Sequence, residues 1–276
     1  MPGALDFATE DYMHAEKKSE SVLDYGDRGQ VVVVHDAGAL ADIAATLIAK
    51  TAVKALDESR QAYIALSGGS TPKAMGALLA NPPFLTEVNW DALAFFWGDE
   101  RWVPLSSPDS NAGEAKRTFL DAVPVLPENV IPFDTEDATP AESAAQLEAI
   151  IRDLVPGKPI PEFDLILLGM GDDGHTASLF PGTDAVQEHH KLVLAHDVEK
   201  LKSTRLTFSP ALINAAKHVV FLVSGASKAE ILAEVLDGGI DVDRLPSQVI
   251  RPTKGTLTWM VDRAAAAELE RYDENA

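Results

Sequence analysis

The chain has 276 residues, of which 46% are hydrophobic and 24% charged, as in an ordinary soluble globular protein. A formal net charge of −20 argues against binding to nucleic acid or to an anionic membrane, and the lack of cysteine excludes disulfides, thiolate metal sites and a cysteine nucleophile. No apolar run is long enough to span a bilayer, and residues 1–11 lack the basic and apolar regions of a signal peptide, so we expect a cytoplasmic protein.

Strand and helix patterns alternate along the chain after a polar segment, residues 1–29, which we interpret as an irregular arm or an edge segment. Continuous apolar runs predict strands at 31–35, 62–66, 93–97, 164–168, 192–195, 205–208, 219–223 and 256–261. Apolar residues at helical spacing predict helices at 39–56, 72–79, 111–120, 141–154, 228–236 and 263–270. This alternation predicts one α/β domain, residues 30–276, with a Rossmann-like, mostly parallel sheet and helices on both faces.

Small, polar and charged residues follow four of the predicted strands, at 67–71, 98–101, 169–175 and 224–228. In open parallel sheets, ligands bind beyond the carboxyl ends of the strands. We therefore expect these four segments to converge on one site. Because the chain is so acidic, an anionic ligand would need a local cluster of cationic side chains and backbone N–H groups there.

The segment Ser-Gly-Gly-Ser-Thr-Pro-Lys at 67–73 joins a predicted strand to a predicted helix. Gly68 and Gly69 allow the backbone to approach an anion closely, and the free N–H groups of Ser70 and Thr71 at the helix start point toward it. The spacing to Lys73 does not fit a Walker loop, and a capped helix after a tight turn is the alternative explanation.

The segment Gly-Asp-Glu-Arg at 98–101 places charged residues directly after an aromatic strand. Arg101 is suited to hold an anion or a polarised carbonyl, and Asp99 to bind sugar hydroxyls or act as a base. Two further cations, Arg205 at the start of a predicted strand and Lys228 at the start of a predicted helix, could complete a positive cluster. An ion pair within the 98–101 loop is the alternative explanation.

His175 follows a buried strand and a turn rich in glycine and aspartate, which presents it at the open end of that strand. Its ordinary pKa of about 6.5 makes a neutral imidazole available as a general base. Asp173, two residues earlier, can fix its tautomer. Asp172, Asp173 and His175 could instead ligate a metal, but adjacent aspartates point in different directions and no second histidine or cysteine joins them, so we favour the general base. Ser178 lies in no nucleophile elbow, and we expect a helix-surface or capping serine.

In this order the segments resemble the 6-phosphogluconolactonase family over roughly residues 30–270. The matching motifs are SGGSTP at 67–72, GDERWVP at 98–104, DSN at 109–111, GMGDDGHTASLFPG at 169–182, RLT at 205–207, SGASK at 224–228 and PSQV at 246–249. The motif at 169–182 is specific, whereas the shorter ones are not.

The resemblance implies an enzyme of the oxidative pentose phosphate pathway that hydrolyses 6-phospho-D-glucono-1,5-lactone without metal, cofactor or nucleotide. It implies the fold of glucosamine-6-phosphate deaminase, which is related to that of ribose-5-phosphate isomerase. In it His175 is the general base, Asp173 orients His175, and Arg101 stabilises the oxyanion or holds the sugar. The substrate- and phosphate-binding residues that it implies are Gly68, Gly69, Ser70, Thr71, Asp99, Arg205 and Lys228.

Two other functions use similar features. An amino-sugar phosphate deaminase or isomerase would share the phosphate loop and the Asp-Gly-His turn, but the run after His175 and the Gly-Asp-Glu-Arg segment differ from the deaminase patterns. A non-catalytic sugar-phosphate sensor would carry a DNA-binding domain, for which residues 1–29 are too short and too acidic.

Overall fold

The computed structural model describes residues 19–273, which form two sheets and eight α-helices. The ten strands are β1 (Ser19–Asp24), β2 (Gln30–Val34), β3 (Ala62–Leu66), β4 (Leu93–Trp97), β5 (Asp99–Arg101), β6 (Leu165–Leu168), β7 (Val193–Val198), β8 (Ser203–Phe208), β9 (His218–Val223) and β10 (Thr256–Asp262). The α-helices are α1 (Ala37–Asp57), α2 (Ser70–Leu79), α3 (Phe84–Glu87), α4 (Asn111–Ala115), α5 (Pro140–Leu154), α6 (Pro210–Asn214), α7 (Ala229–Leu236) and α8 (Arg263–Ala266).

The main sheet has seven strands in the order β1-β2-β10-β9-β6-β3-β4. All neighbours pair in parallel except β1, which runs antiparallel to β2 at the edge. Every residue of β4, β6 and β9 is buried. Since successive side chains in a strand point to opposite faces, both faces of the sheet are covered. The predicted mostly parallel α/β fold is confirmed.

A second, antiparallel sheet has three strands in the order β5-β8-β7. Strand β5 follows β4 after one residue, Gly98, whose N–H donates to Leu66 O at the end of β3 (2.9 Å). The small sheet therefore starts at the carboxyl edge of the large one. Its strand β8 and the preceding β7 form a hairpin, which brings residues of a distant part of the chain to that edge.

Each predicted element corresponds to an observed one, but strands β1 and β5 and the short helices α3 and α6 were not predicted as such. Residues 19–24 belong to the segment 1–29, which was interpreted as an irregular arm or an edge segment, and they pair with β2 as its edge strand; residues 1–18 lie outside the described part of the chain. Residues 99–101 were predicted as a loop after β4, but they pair with β8. Both strands owe their formation to a partner rather than to an apolar pattern of their own.

The helix predicted at 111–120 is α4 continued by a π-helical turn, Lys116–Leu120, and the last predicted helix ends at Ala266. In the described residues, none of the helices combines the length and the hydropathy that crossing a bilayer requires.

Candidate active site

The loop after β6 forms a tight turn that presents His175. The N–H of Gly171 donates to the carbonyl of His175 (2.9 Å), and the N–H of Gly174 donates back to Gly171 O (3.1 Å). Gly174 adopts a left-handed conformation with φ of 75°, which favours glycine. Buried Ser247 binds the turn from outside, because both its N–H (2.9 Å) and its hydroxyl (2.8 Å) donate to Gly174 O. Hydrogen bonds within the turn and from one distant segment thus fix the backbone on which His175 sits.

The carboxylate of Asp173 contacts the ring of His175 and binds a lysine as well. Nδ1 of His175 lies 2.6 Å from Oδ1 of Asp173, and Oδ2 accepts from Nζ of Lys200 at 2.9 Å. Partial burial acts to raise the pKa of Asp173, but the hydrogen bonds from His175 and Lys200 outweigh it and bring that pKa to about 2. Since the carboxylate is ionised near neutral pH, Nδ1 carries the proton and Nε2 is the basic nitrogen of the neutral ring.

The imidazole of His175 lies in a narrow slot. Its ring stacks on Phe180 with the centroids 4.2 Å apart and an angle of 27° between the planes. On the side of Gly171, a Cβ atom would lie only 2.1 Å from Cε1 and Nδ1 of the ring. A residue with a side chain does not fit at position 171, and the slot holds the imidazole in one orientation.

Two arginines face each other across the small sheet. Arg101 in β5 and Arg205 in β8 are directly opposite in the antiparallel register. Arg101 Nη1 donates to Asp109 O (2.7 Å), and Arg205 Nη1 donates to the hydroxyl of Ser203 (2.6 Å). Burial and the neighbouring charge of Arg101 lower the pKa of Arg205. Neither guanidinium pairs with a carboxylate of the described residues, so both can bind an anionic group of a ligand.

Glu100 is buried and connects β5 to the start of α4, so its carboxylate does not contact a ligand. Its buried carboxylate accepts from the backbone N–H groups of Arg101, Asn111 and Ala112, each at 2.8 Å, and from the hydroxyl of Ser110 at 3.1 Å. Burial raises the pKa of Glu100 despite these donors. Its position, between Asp99 and Arg101, directs both neighbours to the opposite face of the strand.

Asp99 and Ser178 form a buried pair beside His175. The hydroxyl of Ser178 donates to Oδ2 of Asp99 (2.8 Å), and the N–H of Ser178 donates to Thr207 (3.2 Å). Ser178 lies in a buried turn, so the expectation of a helix-surface or capping serine was wrong. Its hydroxyl is engaged in binding Asp99, which itself reaches the cavity that His175 lines.

The glycine-rich loop precedes α2 as expected. Gly69 is the N-cap with φ of 116°, and the N–H groups of Gly69, Ser70 and Thr71 donate to no group in the described chain. The hydroxyl of Ser67 is buried and has no hydrogen-bond partner in the part of the chain that the structure describes. Asn111 holds this loop against β5, since a Cβ on Gly68 would lie 1.9 Å from Asn111 Oδ1 and Asn111 Nδ2 donates to Asp99 O (3.0 Å).

Lys228 reaches the loop after β6. Its Nζ pairs with Oδ1 of Asp172, a residue that is mostly exposed. The preceding Gly225 does not present a free N–H for an anion, because that N–H donates to the carboxylate of Asp262 (3.0 Å). Of the second anion-binding turn that the sequence suggests at 224–228, only the side chain of Lys228 can therefore bind an anion.

One cavity of about 480 Å³ collects five of the ten predicted site residues. It is lined by Asp99, Arg101, Asp172, Asp173, His175, Ala177, Ser178, Phe180, Lys200, Leu201 and Arg205. A separate, very small cavity is lined by Ser67, Gly68, Gly69 and Asn111. Within residues 19–273, no three side chains of histidine, aspartate or glutamate are arranged to hold a metal ion.

Sequence reasoning missed three contributors to this site. Lys200 lies in a turn between two short strands, where no pattern marked it. Phe180 and Ser247 lie inside the motifs at 169–182 and 246–249, which pointed to these regions. A motif does not show, however, that Phe180 stacks on His175 or that Ser247 binds the turn before it.

Comparison with known proteins identifies the family of this chain. Residues 35–259 match the family model described as glucosamine-6-phosphate isomerases/6-phosphogluconolactonase. The 6-phosphogluconolactonase of a Nostoc species is 41% identical over 87% of this chain and 98% of its own, and that of a Synechocystis species is 40% identical over the same shares.

Solved structures give the same result. The structure of 6-phosphogluconolactonase from Trypanosoma brucei aligns with a TM-score of 0.76 and 31% identity, over 87% of this chain and 98% of that one. A monomeric glucosamine-6-phosphate deaminase aligns with a TM-score of 0.73 at 21% identity, which shows a shared fold. The chain therefore belongs to the glucosamine-6-phosphate isomerase/6-phosphogluconolactonase family. Within that family its curated relatives group it with the 6-phosphogluconolactonases, which are lactone hydrolases.

Proposed function

We propose that the chain hydrolyses 6-phospho-D-glucono-1,5-lactone to 6-phosphogluconate in the oxidative pentose phosphate pathway of the cytoplasm, with His175 activating water. The observation that carries this proposal is the ionised Asp173 on Nδ1 of His175, which leaves Nε2 as a base in a cavity that also contains two arginines paired with no carboxylate of residues 19–273. The names of the curated relatives support the substrate.

The proposed reaction begins with water near the ring of His175. Nε2 takes a proton as the water oxygen attacks C1 of the lactone, a step in which a positioned base is typically worth about 10²–10⁴-fold. The carbonyl oxygen gains negative charge, which the guanidinium of Arg101 stabilises. The tetrahedral intermediate then breaks the bond between C1 and the ring oxygen. Nε2 of His175 returns its proton to that oxygen, which becomes the C5 hydroxyl of the product.

The phosphate is proposed to bind at the start of α2. Free N–H groups at a helix N-terminus favour an anion, and the buried hydroxyl of Ser67, which has no partner among the described residues, is a further donor in this loop. The side chains of Arg205 and Lys228 are proposed to supply positive charge to the phosphate. The pair of Lys228 with exposed Asp172 is no obstacle, because exposed ion pairs are weak and a doubly charged phosphate is a stronger partner. Binding energy from this remote group positions C1 against the water.

The direct test is a coupled assay with freshly prepared lactone and 6-phosphogluconate dehydrogenase. Since the lactone also hydrolyses spontaneously, the rate without protein is subtracted. We expect 6-phosphogluconate to form faster with the protein than without it. Release of ammonia from glucosamine 6-phosphate, with no acceleration of lactone hydrolysis, would assign the deaminase reaction instead.

Replacing Lys228 by methionine should raise KM for the phosphorylated lactone by about 10-fold or more, because a hydrogen bond to a charged group is lost. The change in kcat should be small. Unphosphorylated glucono-1,5-lactone serves as the matched substrate, and its KM should stay within about 2-fold of the wild-type value, as expected when no charge-assisted contact is lost. An equal increase of KM for both substrates would remove Lys228 from the phosphate site.

A further inference from the structure

The turn between β7 and β8 extends to the loop after β6, which contains Asp173 and His175. Residues Glu199–Leu201 form a 3₁₀ turn, and Lys202 closes it in a left-handed conformation with φ of 49°. From this turn Lys200 reaches Oδ2 of Asp173 at 2.9 Å, although 72% of its side chain is exposed. The same hairpin carries Arg205 in β8, so one element supplies two cations to the cavity.

We propose that Lys200 is a positioning residue of the proposed lactonase reaction, which fixes the carboxylate of Asp173 and, through it, the orientation and the charge environment of the imidazole of His175. This inference rests on the function proposed above. It assigns no contact with substrate to Lys200.

The geometry of the Asp173 carboxylate carries the first half of the inference. Oδ1 accepts from the backbone N–H (3.3 Å) and from Nδ1 (2.6 Å) of His175. Oδ2 accepts from Lys200 alone among the described residues. Two anchored oxygens prevent rotation of the carboxylate, so Oδ1 stays on Nδ1. Without Lys200 only one oxygen would be held, and the orientation of the imidazole would depend on the slot between Gly171 and Phe180.

The charge of Lys200 supports the second half of the inference, its effect on His175. Asp173 stabilises the protonated form of His175, and a positive charge on the other oxygen of the same carboxylate opposes that effect. Removing the charge of Lys200 should therefore make His175 hold its proton to higher pH. The other charged groups that line the cavity or pair with its lining residues are Asp99, Arg101, Asp172, Arg205 and Lys228, and they are unchanged in a Lys200 variant.

Attraction of the anionic substrate is the competing role for an exposed lysine beside a cavity. The contact with Asp173 distinguishes the two roles, because a lysine that attracts substrate acts on KM and a lysine that positions the base acts on kcat and on its pH dependence. The observed pairing of Nζ with Asp173 favours positioning.

The test compares Lys200→Met and Lys200→Arg with Lys202→Met. Lys202 lies two residues away in the same turn, is exposed, and does not line the cavity that contains Asp173 and His175, so its variant removes the same charge without the contact. For Lys200→Met we expect kcat to fall about 2- to 5-fold, the size typical of an exposed ion pair, with KM within about 2-fold. The acidic limb of the pH profile of kcat/KM should move to higher pH. Lys200→Arg should retain the wild-type values, and Lys202→Met should match wild type.

Salt gives a second readout, because it screens exposed charges. Raising the ionic strength should move the acidic limb of wild type toward that of Lys200→Met and leave the variant nearly unchanged. A rise of KM with an unmoved acidic limb would overturn the proposal in favour of substrate attraction. Equal pH profiles for Lys200→Met and Lys202→Met would overturn it as well.

The titration of the His175 ring can also be followed by NMR without any substrate, with the resonance assigned from a His175→Asn variant. The midpoint should rise in Lys200→Met and not in Lys202→Met. This measurement separates the two proposals, because it decides the role of Lys200 even if the protein proves inactive on the lactone. An unchanged midpoint in Lys200→Met would refute the inference.

Discussion

Replacing His175 by alanine is expected to lower kcat for the phosphorylated lactone by about 10²–10⁴-fold, because the reaction loses its general base. Binding of 6-phosphogluconate should change little, since the proposed phosphate contacts lie elsewhere in the site. The coupled assay measures kcat, and calorimetric titration with 6-phosphogluconate measures binding.

The control for this variant is His189→Asn, which removes an exposed histidine away from the cavity and should leave kcat unchanged. Thermal unfolding of both variants shows whether they are folded. Full activity of His175→Ala would exclude His175 as the base, and loss of product binding together with kcat would indicate a role in holding the sugar.

Replacing Gly171 by alanine should be almost as damaging, although the new methyl group carries no chemistry. A Cβ at 171 would lie 2.1 Å from the ring of His175, and Phe180 closes the other side of the slot at a centroid distance of 4.2 Å. Either the ring or the turn must move, and a displacement of about 1 Å at a catalytic group can cost about 10²-fold in rate. We therefore expect kcat to fall by about that factor.

Gly169→Ala is the matched control in the same loop, because a Cβ at 169 would meet nothing within 4 Å and the residue has no left-handed φ. Its kcat should remain near that of wild type. If Gly171→Ala retains wild-type kcat, then the slot between Gly171 and Phe180 does not determine the orientation of His175.

The sequence is informative about the large sheet for a clear reason. Strands such as β4, β6 and β9 are buried along their whole length, so their apolar runs are visible without any knowledge of their neighbours. The turns that follow them contain glycine and charged residues, which predicts the carboxyl edge as the location of the site. The fold and the family were correctly predicted on this basis.

The small sheet is different. Strand β5 has three residues with two acidic groups and an arginine, a composition that predicts a loop. It becomes a strand because β8 pairs with it, and that pairing is what sets Arg101 opposite Arg205. A cross-strand register between segments about a hundred residues apart cannot be obtained from the pattern of either one alone.

By itself, then, the sequence determined the α/β class, the edge at which the site lies, and the pairing of Asp173 with His175, because two residues in one turn are close whatever the rest of the chain does. The tertiary structure decided what surrounds that pair: Lys200 on the second oxygen of Asp173, Phe180 and Gly171 around the imidazole, and the two arginines across β5 and β8. These contacts depend on distances between elements, and it is the packing of the elements that sets such distances.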